Sequence, residues 1–449
     1  MKSARAKVLH DVLGTPMLRH VLRLAEHPAV AADRVIVVVG HEHDAVRAWL
    51  AAQPTRLPIF TVEQVDPRGT GHAVRFALPH LQDAQEVVVL YGDAPLLDVP
   101  TLVGLVGARG DDAMSLLAAE VPDATGYGRV VLADDGSIAR IVEDKDADDA
   151  TRALRLVNGG MICVEAEFLG RALALLSDDN AQGELYLTEL PALAAQEGRR
   201  SNVARAADWR EILGCNSRAE LAVATDLLRE RVLGRAMASG VSVEDPDRCW
   251  VEVDVVLGRD VTLGAGVELR GDTRVDDDVR IDAGCVLRNT TVGAGAHILP
   301  YVVATDSTIG PAASVGPFSH LRPGTTLGRK TKVGNFVETK KTTFGEGAKA
   351  SHLSYIGDAD VGARSNIGAG TITCNYDGKN KFQTVLGEDV FIGSDTQLVA
   401  PVTIGDGAYV GAGSTITGDV PPGALALSRT PQKNIEGWVA RKLAERTKS

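Results

Sequence analysis

Aromatic residues, cysteine pairs and long apolar runs are scarce in this 449-residue chain, and each shortage excludes a class of protein. No apolar run approaches the roughly 18–20 residues that a membrane span needs, and none follows the basic residues at the start, as a secretory signal requires. The five cysteines are scattered without a CxxC pair, which favours reduced thiols in a cytoplasm. Acidic residues outnumber basic ones by 59 to 47, and the net charge of −12 argues against a nucleic-acid-binding protein.

The first half of the chain has an α/β rhythm up to about residue 213. VIVVVG (35–40) and VVVLYGD (87–93) are continuous apolar runs, which are typical of buried parallel strands. The segment HAVRFALPHL (72–81) between them is typical of a helix. We therefore expect a doubly wound, Rossmann-like sheet over residues 1–213, with ligands beyond the carboxyl ends of its strands.

A helical segment separates the two halves. Leu221, Ala224, Leu228 and Val232 fall three or four residues apart, and Gly240 can end the helix. The pattern predicts a helix from residue 216 to about residue 239. We interpret residues 214–240 as a linker helix that joins the first domain to a second domain over residues 241–449.

The second half repeats with a period of six. Apolar residues recur at 251, 257, 263, 269, 275, 281 and 287, then at 309, 315, 321, 327 and 333, and again at 386, 392, 398, 404, 410 and 416. Many are followed by glycine, so that each hexad can form a short strand and a corner. Three hexads close a triangular coil, and residues 251–420 make about nine coils stacked about 4.8 Å apart. A glycine-rich sandwich or barrel is the alternative.

The longest interruption of this period is CNYDGKNKFQT (374–384), a polar loop beside a group of polar side chains. Three cations in that group suggest a phosphate ligand, and one histidine can act as a general base near neutral pH. The alternative is a solvated face of the coil with an ordinary surface histidine. The group comprises Arg322, Glu338, Lys340, His352, Tyr355, Asn366, Asn375 and Lys381.

Motifs along nearly the whole chain resemble, in order, a bifunctional family of glucosamine-1-phosphate acetyltransferases and N-acetylglucosamine-1-phosphate uridyltransferases. The resemblance implies an N-terminal nucleotidyltransferase domain and a C-terminal left-handed parallel β-helix of hexapeptide repeats. It also implies a homotrimer with sites between neighbouring prisms, and small-molecule substrates only. The motifs are KVLH (7–10), GTGHA (69–73), LYGDAPLL (90–97), TGYGR (125–129), IVEDKDA (141–147), NAQGELYLTEL (180–190), GCNSRAEL (214–221), GPFSHLRPG, VGNFVETKK, SHLSYIGDADVG, NIGAGTITCNYDGKNKF, IGSDTQLVAPV and LALSRTPQ.

For the second half, the resemblance implies direct acetyl transfer from acetyl-CoA to glucosamine 1-phosphate. His352 is then the base that deprotonates the amine, and Asn375 holds or polarises that amine. The residues implied for the sugar phosphate are Arg322, Lys340, Tyr355 and Lys381, with Asn366 on the sugar and Glu338 orienting the sugar or a cation. The residues implied for acetyl-CoA are Ala369, Asn375, Tyr376, Ser394, Ala412 and Arg429.

For the first half, the resemblance implies uridylyl transfer from UTP to N-acetylglucosamine 1-phosphate, which gives UDP-N-acetylglucosamine and pyrophosphate. Asp93 and Asn216 are implied as ligands of Mg²⁺, whose preferred ligands are oxygens. The other implied residues are Lys7 on the nucleotide phosphate, Gly69 and Thr70 on the uracil side, Tyr91 and Gly92 on the nucleotide, and Gly128, Glu143 and Asn158 on the sugar.

The chain departs from the family pattern at its start. The family opens with a buried strand and a glycine-rich loop reading roughly LAAGxGTRM, and this sequence begins at the Met of that motif. Either the true start lies upstream, or the uridyltransferase is impaired because backbone N–H groups for the triphosphate are missing. Thr61, where the family often has a glutamine, also leaves uracil selectivity open.

Three other functions remain as alternatives. The first is an acetyltransferase whose first domain is damaged. The second is a non-catalytic regulatory subunit, against which the full set of polar residues argues. The third is a carbonic anhydrase on the same prism, which needs three histidines around one ion, whereas His297, His320 and His352 are separate.

Overall fold

The structure is a computed structural model, and it describes residues 1–40, 43–66, 68–179 and 183–446. The chain divides into two compact units, residues 1–229 and residue 230 onward. The boundary falls inside one long helix, Arg218–Ala238, so the predicted helix is confirmed with ends within two residues of expectation. Among the described residues no helix combines the length and apolarity that crossing a membrane demands.

The first unit alternates strands and helices. Its strands are β1 Asp11–Val12, β2 Thr15–Pro16, β3 Val35–Val39, β4 Ile59–Glu63, β5 Glu86–Val89, β6 Met114–Glu120, β7 Arg129–Leu132, β8 Ile138–Val142, β9 Leu156–Glu165 and β10 Ser201–Arg205. Its helices are α1 Met17–Ala25, α2 His43–Ala51, α3 Thr70–Ala77, α4 Val99–Arg109, α5 Asp149–Arg152, α6 Ala166–Leu175, α7 Leu190–Gln196 and α8 Arg218–Ala238.

The main sheet of this unit is mixed rather than parallel. Its path is β10-β6-β9-β7-β8, and β5 pairs with β9. Strand β10 runs parallel to β6, whereas β5, β6 and β7 are antiparallel to β9. Residues 87–93 were predicted to form a parallel strand. The strand there, β5, has one described pairing, with β9, and it is antiparallel, so the predicted direction is wrong. An apolar run indicates that both faces are covered, and the connections between strands decide the direction.

The other predicted strand, residues 35–40, forms β3 and pairs in parallel with β4 in a separate two-stranded sheet. Only Val39 of β3 is fully buried, so the expected complete burial of this strand is wrong. The predicted helix over residues 72–81 is confirmed as α3, which continues as a 3₁₀ turn at Leu78–His80. Pro79 ends the regular α-helix there because it lacks an N–H donor.

The second unit is a parallel β-helix of short strands. In chain order, β11–β38 are Ser242–Val243, Trp250–Val251, Val256–Leu257, Thr262–Leu263, Glu268–Arg270, Arg274–Val275, Arg280–Ile281, Val286–Arg288, Thr291–Val292, His297–Ile298, Val303–Thr305, Thr308–Ile309, Ser314–Val315, His320–Leu321, Thr325–Leu327, Lys332–Asn335, Glu338–Phe344, Lys349–His352, Tyr355–Val361, Asn366–Ile367, Ile372–Cys374, Thr384–Leu386, Phe391–Ile392, Gln397–Val399, Val402–Ile404, Tyr409–Val410, Thr415–Ile416 and Leu425–Ala426. A final helix, α9, covers Trp438–Arg446.

Each strand pairs with the strand one coil later, and the pairs build three ladders. One ladder is a sheet of 11 strands, and the other two share a sheet of 17 strands. The predicted hexad residues point inward: Leu263, Ile281, Val315, Ile392 and Val410 belong to one buried cluster that runs the length of the coil. This confirms that the period of six sets which side chains form the core.

Candidate functional site

One corner of the β-helix carries His352 and, one coil apart from each other, Ala369, Ser394 and Ala412; we name these four residues the histidine corner. The backbone N–H groups of the next column bond to them: Asp395 donates to the Ala369 carbonyl at 2.7 Å. The guanidinium of Arg429 donates to the carbonyl of Ala412 at 2.9 Å. Four of the residues expected to bind acetyl-CoA therefore lie on successive coils along one edge, starting one coil after His352. They are Ala369, Ser394, Ala412 and Arg429.

A stack of aromatic rings occupies the same edge on the other side of His352. The rings of Tyr301 and Phe318, and of Phe318 and Phe336, have centroids 5.3 Å apart and are nearly parallel. Leu353 continues this column, which we name the aromatic ladder, and all four residues have positive φ and exposed side chains. The column changes beyond Leu353 from large apolar side chains to Gly370, Asp395 and Gly413.

The cations lie at another corner, which we name the cation corner: Arg322, Glu338, Lys340 and Lys381. Arg322 donates to the Glu338 carboxylate at 2.7 Å. The ammonium of Lys340 lowers the pKa of Lys381, first through a hydrogen bond between the two amines and then through charge repulsion. The Asp358 carboxylate also acts on Lys381 but does not cancel the effect of Lys340, and two adjacent ammonium groups can bind an anion such as phosphate.

Asn375 and Tyr355 border the cation corner. Asn375 is buried, and its Nδ2 donates to the Asp358 carboxylate. The amide oxygen of Asn375 is therefore the atom left to accept a hydrogen bond from a ligand. The Tyr355 hydroxyl lies over Gly357, where a Cβ would be 2.4 Å from it, so only glycine leaves room for the phenol.

Within one chain the two corners are separate. His352 precedes the strand whose Gly357 is in register with Lys340. Extended residues advance about 3.3 Å each, so roughly 10 Å or more separates the two positions. The imidazole of His352 is exposed and has no hydrogen-bonding partner in the part of the chain that is described. The predicted single cleft of histidine and cations is therefore not assembled inside one copy.

Two further predicted residues lie apart from the cation corner. Asn366 is on the 11-stranded face, in register with Lys349 and Phe391. Tyr376 is in the projecting loop, where its hydroxyl donates to the Gly378 carbonyl at 2.6 Å.

The first unit brings together the predicted nucleotide and metal residues. The ammonium of Lys7 lies 2.5 Å from the Asp93 carboxylate and also donates to the side-chain oxygen of Asn216. The N–H of Cys215 donates to the backbone carbonyl of Asp93 at 3.0 Å, and Glu220 accepts from the N–H of Asn216 at 2.5 Å. A charged group thus already sits between the two oxygen ligands predicted for Mg²⁺.

These ligands fit Mg²⁺ by their chemistry. One carboxylate and one amide oxygen suit a hard cation that keeps most of its coordination for water and substrate phosphate. In the described ranges, no group of three or more His, Cys, Asp or Glu side chains gathers in a way that could hold a metal ion.

The predicted sugar residues meet at the ends of β7, β8 and β9. The carbonyl of Gly128 accepts from the N–H of Asn158 at 2.8 Å, and a Cβ on Gly128 would lie 3.4 Å from both carboxylate oxygens of Glu143. Tyr91 packs on Gly160, whose φ of +82° and lack of a Cβ allow the contact. Burial raises the pKa of Tyr91 to about 12, and the charges of Asp93 and Glu143 add to the increase. Tyr91 therefore connects the metal residues with the sugar residues.

A cavity of about 240 Å³ opens beside Glu143, and Glu143 is the one wall residue that sequence reasoning had assigned to a site. Thr188 donates a hydrogen bond to Glu143, which opposes the increase in the Glu143 pKa that burial causes. Tyr186 lines the same cavity. Both residues lie in the motif NAQGELYLTEL (180–190), so this motif was the sequence feature that could have indicated them as site residues. Residues 180–182 of the motif lie outside the described residues.

Gly69 and Thr70 lie at the start of α3 and contact the segment that leads to Thr188. Gly69 has φ of +94°, and a Cβ there would be 2.7 Å from the Leu185 carbonyl. The Thr70 hydroxyl accepts from the N–H of Leu187 at 3.3 Å. Neither residue contacts Asp93 among the described interactions.

The fold and these two groups of residues define a two-domain transferase, one domain a nucleotidyltransferase and the other a hexapeptide-repeat acyltransferase. A family model for the MobA-like NTP transferase domain matches residues 1–182, and one for bacterial transferase hexapeptide repeats matches residues 383–418. Curated proteins match almost the whole chain. "Bifunctional protein GlmU" of Streptomyces avermitilis is 47% identical, and the match covers 98% of this chain and 92% of that protein.

Proteins of the same name from Cupriavidus pinatubonensis and Sorangium cellulosum are 47% and 48% identical and are covered to 95% and 93%. The chain belongs to the GlmU family. It is a bifunctional acetyltransferase and uridyltransferase, which confirms the predicted pair of activities. An acetyltransferase with a single activity is not favoured, because the similarity extends over 98% of the chain and so includes both halves.

Proposed function

We propose that the cation corner binds glucosamine 1-phosphate and that the histidine corner supplies the base and the acetyl donor. The observation that carries this proposal is the group of Lys340 and Lys381 ammoniums beside the Asn375 amide. Lys340, Lys381 and Arg322 neutralise the phosphate, and Tyr355 contributes its hydroxyl. The amide oxygen of Asn375, whose Nδ2 is held by Asp358, accepts from the substrate amine.

His352 removes the proton that blocks the amine lone pair. The amine then attacks the thioester carbonyl carbon of acetyl-CoA, and the bond to sulfur breaks as CoA leaves. The imidazole of His352 is exposed, so an incoming amine can reach it, and imidazole is a common general base. The small residues Ala369, Ser394 and Ala412 leave room for the extended donor along the edge, and Arg429 and Tyr376 flank it. Glu338 orients Arg322, and Asn366 contacts the sugar.

The separation of the two corners supports a homotrimer in which each site is shared between copies. The aromatic ladder offers an exposed apolar edge directly beside His352, and exposed stacked rings favour an interface. A second prism on this edge would bring its own cation corner towards His352. Hexapeptide β-helices close such contacts by threefold symmetry.

In the first unit, Lys7, Tyr91 and Gly92 bind the nucleotide of UTP, and Gly69 and Thr70 border the uracil. Gly128, Glu143 and Asn158 bind N-acetylglucosamine 1-phosphate. Its phosphate oxygen attacks the α-phosphorus of UTP, and pyrophosphate leaves. Asp93 and Asn216 would hold Mg²⁺, which neutralises the phosphate charges when bound. The buried free thiols are consistent with a cytoplasmic enzyme.

Subunit complementation tests the shared acetyltransferase site. His352→Ala and Lys340→Ala should each abolish CoA release when assayed alone. After the two variants are unfolded and refolded together, random trimers should regain about a quarter of the sites, because one neighbour supplies the histidine and the other the lysine. No recovery in confirmed mixed oligomers contradicts the sharing, and full activity of the first variant contradicts the base assignment.

A further inference from the structure

Arg129 is a buried cation that the proposed chemistry does not use. It lies at the start of β7 and is 2% exposed. Its guanidinium pairs with the Asp144 carboxylate at 3.1 Å. A buried guanidinium is costly without such a partner, so the pair constrains the positions of both residues.

The same guanidinium joins two loops. It donates to the carbonyl of Tyr127 in one loop and, at 3.3 Å, to the carbonyl of Arg152 beyond the other. Asp144 in turn accepts from the N–H of Gly126 at 3.1 Å. The contacts of Arg129 and Asp144 therefore connect the loop around residues 125–128 to the loop around residues 143–147.

These two loops carry the sugar residues themselves. Gly128 precedes Arg129 in the chain, and Glu143 precedes Asp144. The space beside Gly128 is the space that the Glu143 carboxylate borders, at 3.4 Å from an added Cβ. Arg129 and Asp144 are absent from the walls of the cavity that Glu143 lines. Because Arg129 is almost fully buried, its guanidinium can act on a ligand only through the residues in front of it.

We infer that Arg129 and Asp144 are a positioning pair for the uridyltransferase and hold Gly128 and Glu143 at the spacing that the sugar phosphate requires. This inference rests on the proposed sugar site. The planar guanidinium reaches the carboxylate and two carbonyls at once, which a lysine ammonium cannot reproduce in the same geometry. A displacement of about 1 Å in a positioning group can cost up to about a hundredfold in rate.

The test uses Arg129→Lys and Asp144→Asn in the full chain. We expect the KM for N-acetylglucosamine 1-phosphate to rise about tenfold or more while the KM for UTP stays within about twofold. Acetyl transfer by the same chain reports the concentration of folded second unit and should not change, and the unchanged KM for UTP reports that the first unit is folded. Asp144 is partly exposed, so Asp144→Asn keeps the test valid if the buried Arg129 variant does not fold.

Glu86→Gln is the matched control. It also removes one carboxylate from an arginine ion pair, here with Arg109, but Glu86 is at the start of β5 and is not among the proposed sugar residues. It should alter the melting temperature without altering either KM. Equal increases in both KM values, or a fall in kcat alone, would overturn the inference. Glu143→Gln distinguishes failure of the proposed sugar site from failure of the positioning pair. If Glu143→Gln leaves the KM for the sugar phosphate unchanged, the proposed sugar site is wrong. If Glu143→Gln raises that KM while Arg129→Lys and Asp144→Asn leave it unchanged, only the positioning pair is refuted.

Discussion

The ammonium of Lys7 lies between Asp93 and Asn216, the two residues proposed above as Mg²⁺ ligands, at 2.5 Å from the Asp93 carboxylate. A lysine and a metal ion compete for the same oxygens by electrostatics alone. Because Lys7 is also proposed to bind the nucleotide of UTP, we expect cation binding to be coupled to release of Lys7 from Asp93 and Asn216.

Lys7→Met should therefore separate metal affinity from activity. Without the competing ammonium, Mn²⁺ should bind to the substrate-free chain about tenfold more tightly, as measured by electron paramagnetic resonance. Uridylyl transfer should nevertheless fall by about a hundredfold, because a phosphate contact is lost. Asp93→Asn is the control and should weaken Mn²⁺ binding. Unchanged Mn²⁺ affinity in the Lys7 variant would refute the competition.

The hydrogen bond from Asn375 to Asp358 should be required for acetyl transfer. Asp358→Ala leaves the buried amide without its acceptor, which should cost about 1–3 kcal/mol of stability and lower kcat about tenfold or more. Asp360→Ala is the control, since Asp360 bonds to the exposed Gln383 at 2.6 Å in the same strand. Thermal unfolding and CoA release measure the two effects. Equal losses in both variants would show that the loop as a whole, rather than Asn375, matters.

Glu143 should make stability depend on pH. Burial raises its pKa, so the folded state disfavours the ionised form. The stability of the parent chain is then complete below the ordinary pKa of glutamate and decreases as pH rises through the raised value. Glu143→Gln removes this decrease. Its melting temperature should match that of the parent at about pH 4 and exceed it at about pH 8, and a constant difference would contradict the raised pKa.

The aromatic ladder should control assembly. Phe336→Ser removes the end ring of the stack beside Leu353 and places a polar group on the edge. Size-exclusion chromatography with light scattering should then give a smaller species, and acetyl transfer should fall with it, while uridylyl transfer continues. Phe391→Ser is the control, because Phe391 stacks on Tyr409 on a different face, with centroids 5.2 Å apart. A Phe336 variant that keeps both its size and its acetyl transfer would disprove the shared site.

Much of the second unit follows from local pattern. The inward residues at a spacing of six, such as Leu263 and Val410, are buried as expected. Each hexad forms a short strand and a corner from its own residues, so the pattern does not depend on distant parts of the chain. The long helix is likewise visible in its own spacing. By contrast, the apolar run at Val87–Val89 did not reveal its antiparallel partner at residues 162–164, because direction depends on distant connections.

The hexad coil, the family and the identity of the polar residues follow from the amino-acid order alone, because spacing and motif are properties of neighbouring residues. Tertiary structure alone decided which of those residues meet. Lys7 reaches Asp93 and Asn216 from distant positions, Thr188 reaches Glu143, and Arg129 ties two loops together behind the sugar site. His352 and Lys340 lie at different corners because the register of successive coils, rather than distance along the chain, sets what faces what.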